Sequence, residues 1–246
     1  MKILVTNDDG IHSEGLHALA EALKAAGDVI VVAPDRERSS VAHSLTMHRP
    51  LRVEKVKDNY YSVDGTPVDC VILGSHMLKP KRPGLVASGI NKGENMGEDV
   101  LYSGTVSAAL EGTIMGIPSF AVSMAARKDF KFKGAADFAI RVARFIEKNG
   151  LPRETLLNIN VPNLDPDQIG SYRITRQGKR IYGDVVDEKT DPRGRTYYWI
   201  GGNDLSFEKE AGTDFDALSQ GHVSITPLHP NLTCSPCLKE MKAWEL

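Results

Sequence analysis

The chain has 246 residues, of which 41% are hydrophobic and 25% charged, a balance typical of a globular protein with a sizeable core. Lys and Arg number 30 against 32 Asp and Glu, and the resulting net charge of -2 argues against a nucleic-acid partner. The first apolar run stops at Thr6 and no stretch is long enough for a membrane span, so we expect a cytoplasmic protein without a membrane partner.

Strand and helix patterns alternate through the first two-thirds of the chain. In chain order they predict a strand at 2–6, a helix at 13–26, a strand at 28–33, a hairpin over 51–63, a helix at 67–77, a strand at 84–91, a helix at 107–115, a strand at 118–124, a helix at 134–148 and a strand at 155–161. Continuous apolar strands are typical of parallel sheets covered on both faces. The series predicts an α/β fold with a Rossmann-like doubly wound, mostly parallel sheet.

The pattern changes after about residue 165. Further strands are predicted at 172–176, 195–200 and 221–227, separated by polar segments. The stretch from Lys179 to Arg195 is too polar to bury itself, so it is either a mobile loop or an arm that packs on another subunit. We expect one domain over 1–246, with the site in the core 1–165 and a C-terminal extension over 166–246.

Three cysteines, Cys70, Cys234 and Cys237, are an odd count, which argues against a disulfide framework. The spacing Cys234-Ser-Pro-Cys237 is typical of zinc sites and redox motifs, but neither a second pair nor a nearby His cluster completes such a site. We therefore predict that Cys234 and Cys237 are reduced thiols.

Asp8 and Asp9 directly follow the first predicted strand, and ligands of a doubly wound sheet bind beyond the carboxyl ends of its strands. Two adjacent carboxylates repel each other, which raises their pKa values or requires a cation. Mg²⁺ and Mn²⁺ prefer oxygen ligands, and a Ser hydroxyl and an Asn carbonyl from neighbouring strand ends would complete such a set. The alternative is that Asp9-Gly10 is a turn and Asp9 caps the next helix. The position after the first strand of a parallel sheet favours the metal.

The glycine-rich segment 89–97 and the helix start at 102–105 are typical of an anion site. Small residues let backbone N–H groups converge, and a helix N-terminus favours negative charge. Ser103 and Thr105 add hydroxyl donors, although either could be only an N-cap. A metal beside an oxyanion cradle favours phosphoryl chemistry.

Two common nucleotide-binding motifs do not occur in the sequence. The turn after the first strand carries two acids in place of G-x-G-x-x-G, and the chain has no G-x-x-x-x-G-K-[ST]. His12 as a proton donor, and Arg36 or Arg38 as phosphate ligands, are weaker candidates, because each is also explained as a solvated loop residue.

Several motifs, taken in order, resemble the SurE family of survival proteins, which are cytosolic 5′-nucleotidases. They are Val5-Thr-Asn-Asp-Asp-Gly10, Val32-Ala-Pro-Asp-Arg-Glu-Arg-Ser39, Gly65-Thr-Pro-Val-Asp-Cys70, Ser88-Gly-Ile-Asn91, Asn95-Met-Gly97, Tyr102-Ser-Gly-Thr105 and Val223-Ser-Ile-Thr-Pro227. The similarity runs over nearly the full chain. The Cys234/Cys237 pair lies outside the family pattern.

The resemblance implies a functional site at matching positions of this chain. One divalent metal ion per subunit, Mg²⁺ or Mn²⁺, would be held by Asp8, Asp9, Ser39 and Asn91, and phosphate would contact Asn95, Ser103, Gly104 and Thr105. The family hydrolyses nucleoside 5′-monophosphates and often 3′-monophosphates, and some members shorten polyphosphate. The resemblance also implies a homodimer or homotetramer that exchanges C-terminal β-hairpin arms.

We therefore predict a metal-dependent 5′-nucleotidase with Asp8 and Asp9 as catalytic residues, in which either water on the metal or the Asp8 carboxylate attacks phosphorus. A haloacid-dehalogenase-type phosphatase needs D-x-D where this chain has Asn7-Asp8-Asp9. A receiver-like signalling module without hydrolase activity is the alternative from another class. It needs a phospho-acceptor Asp at a later strand end, where this chain has Asn91.

Overall fold

The computed structural model describes residues 1–182, 186–200 and 205–244. Its elements in chain order are β1 (Lys2–Thr6), α1 (Glu14–Leu23), β2 (Asp28–Pro34), β3 (Val53–Lys57), β4 (Tyr60–Val63), α2 (Pro67–Met77), β5 (Leu85–Lys92), a 3-10 helix (Gly97–Leu101), α3 (Gly104–Ile114), β6 (Ser119–Ala125), α4 (Phe132–Asn149), β7 (Leu156–Pro162), β8 (Tyr172–Ile174), β9 (Arg180–Tyr182), β10 (Val186–Thr190), β11 (Thr196–Ile200), β12 (Leu205–Phe207), α5 (Asp214–Ser219), β13 (Val223–Leu228) and α6 (Ser235–Met241).

One large sheet runs through the described part of the chain in the order β3-β4-β2-β1-β5-β6-β7-β13-β8. The strands from β4 to β7 in that order are parallel to their neighbours, whereas β3 and β13 pair antiparallel with β4 and β7. β1 pairs with β2 on one side and β5 on the other, so the strand order reverses there. The predicted doubly wound, mostly parallel sheet is confirmed, and its switch point lies between β1 and β5.

Helices cover both faces of this sheet. On one face Leu16 and Leu19 of α1 and Ala139 of α4 belong to the main buried cluster with β1 and β5. On the other face Val71 of α2 and Ala108 of α3 pack on β1, β2 and β5. Because both faces are covered, the strands are continuous apolar runs.

Each helix near the switch point begins at a side-chain cap. Ser13 caps α1 by accepting from Leu16 N–H, and Ser103 caps α3 by accepting from Val106 N–H. Thr66 and Asp69 form a capping box at the start of α2. These caps fix where each chain segment leaves its strand and turns back over the sheet.

The C-terminal extension contains the predicted hairpin, in which β10 pairs antiparallel with β11. The stretch from Lys179 to Arg195 therefore contributes strands β9 and β10 rather than only a loop, and its residues 183–185 lie outside the described ones. The boundary near residue 165 stays a prediction, and β13 and β8, which follow it, extend the main sheet beyond β7. No helix in the described ranges is long and apolar enough to cross a membrane.

The prediction of two reduced thiols near the C-terminus is wrong, because Cys234 and Cys237 form a disulfide. Their spacing at the start of α6 brings the two Cα atoms to 5.3 Å, within the range that a disulfide spans. The sequence-based prediction missed this disulfide because it took the odd number of cysteines as evidence against any disulfide. Cys70 is the buried free thiol, and burial raises its pKa well above the ordinary value.

Candidate active site

A cavity of about 830 Å³ opens at the carboxyl ends of β1 and β5, beside the switch point. Its lining consists of Asp8, Asp9, Glu37, Ser39, Ser40, Asn91, Lys92, Glu94, Asn95, Asp99, Tyr102, Ser103 and Ile200. The fold thus brings together the predicted site residues from three separate loops. Of the predicted set, Gly104 and Thr105 do not line the described cavity but lie directly behind Asp8.

Asp8 is the buried member of the acidic pair, with 5% of its surface exposed. The backbone N–H of Thr105 donates to Asp8 Oδ2 at 2.9 Å, and the Thr105 hydroxyl donates to Oδ1. Burial raises the pKa of Asp8 above its ordinary value, and the hydrogen bonds from Thr105 oppose that rise. The first turn of α3 therefore satisfies the carboxylate that ends β1.

Gly104 permits this close approach. A Cβ at position 104 would lie 2.8 Å from Asp8 Cβ and 2.9 Å from Asp8 Oδ2, closer than such atoms pack. Pro67 Cγ, on the other side, would be 3.2 Å away. Residue 104 must lack a side chain for α3 to begin against the acidic pair.

Asp9 lies nearer the cavity opening, where the backbone N–H of Lys92 donates to its Oδ2 at 3.2 Å. Burial, followed by the neighbouring charge of Asp8, raises the pKa of Asp9 to about 6. Two carboxylates with raised pKa values thus face one cavity, which is the arrangement that a cation relieves.

The loop after β2 forms a second wall of the cavity. Arg38 N–H donates to the Asp8 carbonyl at 2.7 Å, which ties this loop to the end of β1. Ser39 is exposed, and its hydroxyl donates to Glu37 Oε1 at 2.6 Å. Ala42 N–H donates to the Tyr102 carbonyl at 3.1 Å, so the same loop also reaches the start of α3.

Asn91 is the second-last residue of β5, and Asn95 lies in the loop that follows this strand. The side-chain amide of Asn91 donates to the Gly93 carbonyl at 2.9 Å, which leaves its own carbonyl oxygen as the second polar atom. Asn95 is buried at the cavity floor, and its side-chain amide donates to Ser123 Oγ at 2.8 Å. Both side chains are therefore oriented by hydrogen bonds.

Three weaker candidates are not brought to the cavity. His12 and Arg36 are exposed, and neither they nor Arg38 belong to the lining found among the described residues. Arg38 instead contacts Asp35 Oδ1 at 3.3 Å and the Asp64 carbonyl at 3.4 Å.

Sequence reasoning missed several residues of the lining. The lining residues that were not assigned to the site are Glu37, Ser40, Lys92, Glu94, Asp99, Tyr102 and Ile200. All but Ile200 lie in or next to loops that follow β2 or β5. Their position after the end of a strand could therefore have indicated that they lie near the site. Whether a loop side chain points inward depends on the loop conformation, which the sequence pattern does not show.

Fold and site define the chain as a doubly wound α/β protein with an acidic, oxygen-rich cleft at its switch point. The family model described as survival protein SurE matches residues 3–184. A protein from Geotalea uraniireducens named 5′-nucleotidase SurE is 53% identical to this chain over the whole of both chains. A protein of the same name from Geobacter sulfurreducens is 54% identical to it, over 100% of this chain and 94% of the other. A crystal structure of SurE protein from Aquifex aeolicus has a TM-score of 0.90 at 47% identity, covering 98% of each chain. This chain belongs to the SurE family.

The close approach at Gly104 predicts an inverted effect of a helix-favouring substitution. Gly→Ala inside a helix normally stabilises by about 1 kcal/mol. Gly104→Ala should instead lower the free energy of unfolding by about 1–3 kcal/mol, because the added Cβ displaces Asp8 or α3. Urea denaturation measures the change. Gly84→Ala is the control, since its Cβ would come no closer than 3.4 Å to any atom, with Met1 Cβ as its nearest neighbour, and it should stay within about 0.5 kcal/mol of the parent. Equal stability of the two variants would contradict the packing argument.

Proposed function

We propose that this protein is a divalent-metal-dependent phosphomonoesterase that hydrolyses nucleoside 5′-monophosphates to nucleoside and phosphate, with 3′-monophosphates and short polyphosphate as further candidate substrates. The proposal depends mainly on one observation: the acidic pair Asp8-Asp9 and Ser103, which caps the start of α3, line one cavity. The first needs a cation and the second favours an anion. Relatives that are more than half identical over the whole chain are named 5′-nucleotidase.

The donor set fits a hard divalent ion. Asp8 and Asp9 supply carboxylates, Ser39 a hydroxyl and Asn91 an amide carbonyl, and Mg²⁺ and Mn²⁺ prefer oxygen ligands of this kind. The orientation of Asn91 supports this assignment, because its amide nitrogen is already bonded to Gly93. The raised pKa values of both carboxyl groups have the same implication. When bound, such an ion acts as a Lewis acid on a phosphate oxygen.

The phosphate is proposed to lie against the start of α3 and Asn95. Ser103 lines the cavity, and because its oxygen accepts from Val106 N–H, its proton remains available for a phosphate oxygen. The helix N-terminus adds its partial positive charge. Gly104 and Thr105 stay predicted phosphate contacts. The backbone N–H and the hydroxyl of Thr105 both donate to Asp8, which gives Thr105 the further role of orienting that carboxylate.

Water is the proposed nucleophile, and Asp8 is assigned to metal binding. Both oxygens of Asp8 accept hydrogen bonds from Thr105, which lowers their capacity to attack phosphorus. In the reaction a water oxygen bonds to phosphorus and gives up one proton as the bond to the ester oxygen breaks, and the leaving oxygen takes up one proton as nucleoside is released.

Metal removal and loss of Asp9 test the activity directly. Purified protein should release phosphate from AMP, GMP or an aryl phosphate with Mg²⁺, Mn²⁺ or Co²⁺, and excess chelator should stop release until metal is restored. Asp9→Ala should lower kcat/KM at least about 1,000-fold with an unchanged circular dichroism spectrum. Asp137→Ala, which removes an exposed carboxylate paired with Lys133, is the control and should be fully active. Metal-independent release, or a fully active Asp9→Ala variant, would contradict the proposal. A receiver-like module would give no turnover at all.

The stereochemistry at phosphorus distinguishes the two nucleophiles. An AMP analogue with a chiral, isotopically labelled thiophosphate should be hydrolysed with net inversion, because one direct displacement by water occurs. Attack by Asp8 would give two displacements and net retention, together with an acyl-phosphate that hydroxylamine can trap. Retention would therefore move Asp8 from metal binding to covalent catalysis, while leaving the phosphatase assignment intact.

The proposal includes a homodimer or homotetramer assembled through the C-terminal hairpin β10–β11. Its strand β11 exposes Tyr198, Trp199 and Ile200 at 60%, 63% and 86% of their surface, although these are large apolar side chains. Side chains alternate between the two faces of a strand, so Tyr198 and Ile200 share one face of the hairpin and Trp199 lies on the other. Large exposed apolar side chains are typical of a contact surface rather than of solvated structure.

A charge placed on this hairpin should therefore disrupt assembly. Trp199→Asp is expected to shift the molar mass measured by light scattering after size-exclusion chromatography towards the monomer. Thr190→Asp adds the same charge at the other end of the hairpin without removing apolar surface, so it should retain the parent mass. A monomeric parent protein, or equal masses for all three proteins, would overturn this part of the proposal.

A further inference from the structure

Strand β7 contains two polar residues where the fold calls for apolar ones. The sequence of the strand is Leu-Leu-Asn-Ile-Asn-Val-Pro, and Asn158 and Asn160 are both fully buried in it. Residues two apart on a strand point to the same face. Strands in the middle of a parallel sheet are normally apolar on both faces. A pair of buried amides on one face therefore needs a specific partner.

That partner is the residue at position 95, on the loop after β5. The Asn160 side chain accepts from Asn95 N–H at 2.8 Å and donates to the Asn95 carbonyl at 3.0 Å, so it holds both backbone groups of one residue. Asn158 donates to the same carbonyl at 2.8 Å. On the neighbouring strand β6, Ser123 Oγ accepts from the Asn95 side-chain amide at 2.8 Å.

The arrangement is not optimal for stability. The side-chain oxygen of Asn158 is buried and has no hydrogen-bond partner within the described residues. A buried acceptor left unpaired costs free energy that an apolar side chain of the same size would avoid. Features that lower stability while holding another residue in place are typical of functional sites.

We propose that Asn158, Asn160 and Ser123 are positioning residues for Asn95. They fix its backbone and side chain so that the amide faces the phosphate of the substrate. This inference depends on the proposed function, in which Asn95 contacts that phosphate. The three residues do not line the described cavity, so they act only through Asn95.

Asn158→Leu is the first test, because it removes one donor to the Asn95 carbonyl and also removes the unpaired oxygen. Thermal unfolding should occur at the parent's temperature or higher, while kcat/KM for AMP with Mn²⁺ falls about tenfold, since small displacements of a positioned group reduce rates strongly. Asn160→Leu removes both contacts to the Asn95 backbone and should lower kcat/KM about 100-fold. If Asn160→Leu does not fold, Ser123→Ala, which removes only the acceptor of the Asn95 side chain, should lower it about threefold to tenfold.

A double-mutant cycle separates positioning from general structural damage. Asn95→Ala removes the side chain that the other residues are proposed to orient. Adding Asn158→Leu to Asn95→Ala should then cause no further loss of kcat/KM, because residues that act through one group are not additive. Losses that multiply in the double variant would overturn the inference.

Thr226→Val is the matched control for the substitutions on β7. Thr226 lies directly across from Asn158 in the sheet, and its hydroxyl is bonded to Thr175 rather than to Asn95. This variant should unfold at a lower temperature yet retain the parent kcat/KM at a temperature where it is folded. If Asn158→Leu also retained the kcat/KM of the parent protein, the inference would be wrong, whereas the proposed nucleotidase activity would be unaffected. If the parent protein itself released no phosphate from AMP, the proposed function would fail first.

Discussion

The hydrogen bonds between Asp8 and the first turn of α3 are the interaction on which the site depends. A buried carboxylate at the end of β1 is stable only where donors meet it, and the Thr105 N–H and hydroxyl are those donors. The contact joins the first strand to a helix that follows the fifth, so it also fixes the switch point of the sheet. Because α3 begins so close to Asp8, residue 104 has room for no side chain. The hydrogen bond from Arg38 N–H to the Asp8 carbonyl connects the loop after β2 to the same region.

The second constraint comes from the C-terminal region, which holds the loop after β5 from the far side. Asp214 Oδ2 accepts from Gly97 N–H at 2.9 Å, and the Gln177 amide donates to the Gly97 carbonyl at 2.8 Å. The Arg180 guanidinium, itself buried, pairs with Asp99 on the cavity wall. The chain after residue 165 therefore does more than form an exposed hairpin. It fixes the loop that contains Asn95, while β6 and β7 fix that loop from below.

Sequence reasoning succeeded where the signal is local. The apolar runs identified β1, β2, β5, β6 and β7, and the hairpin expected over 51–63 is β3 and β4, because each signal depends on neighbours along the chain. The helix at 67–77 was predicted with its observed bounds, whereas α3 begins at Gly104, three residues before the predicted start of the helix at 107–115. The Asp8-Asp9 pair was visible because it is also a local signal. Ser39 and Asn91 entered the site only through the family resemblance, since nothing local distinguishes one Ser or Asn from another. The short helices α5 and α6 and the β9–β12 pair were not predicted, because segments of 3–7 residues show no readable period.

Asn158 and Asn160 show most clearly what a single sequence cannot reveal. Their alternation within an apolar strand was readable, yet their partner lies more than 60 positions away and is reached only through the folded sheet. The Cys234–Cys237 bridge is the opposite case, because the partners are near neighbours and the error came from a counting rule.

Charge explains why the proposed cation and the phosphate belong together. Near the acidic pair, Glu94 and Asp99 of the cavity wall are partly compensated by Arg180 and Arg127. Asp8 and Asp9 receive hydrogen bonds from backbone groups and a hydroxyl, which stabilise but do not neutralise them. A phosphate dianion entering this cavity alone meets Asp8, Asp9 and Glu37, which Lys92 and the start of α3 offset only in part. A divalent ion brings enough charge to neutralise the Asp8-Asp9 pair. With both bound, each lowers the electrostatic cost of the other, and by thermodynamic linkage the coupling is equal in both directions. Under the proposed function, the acidic pair therefore makes substrate affinity depend on the metal before any chemistry occurs.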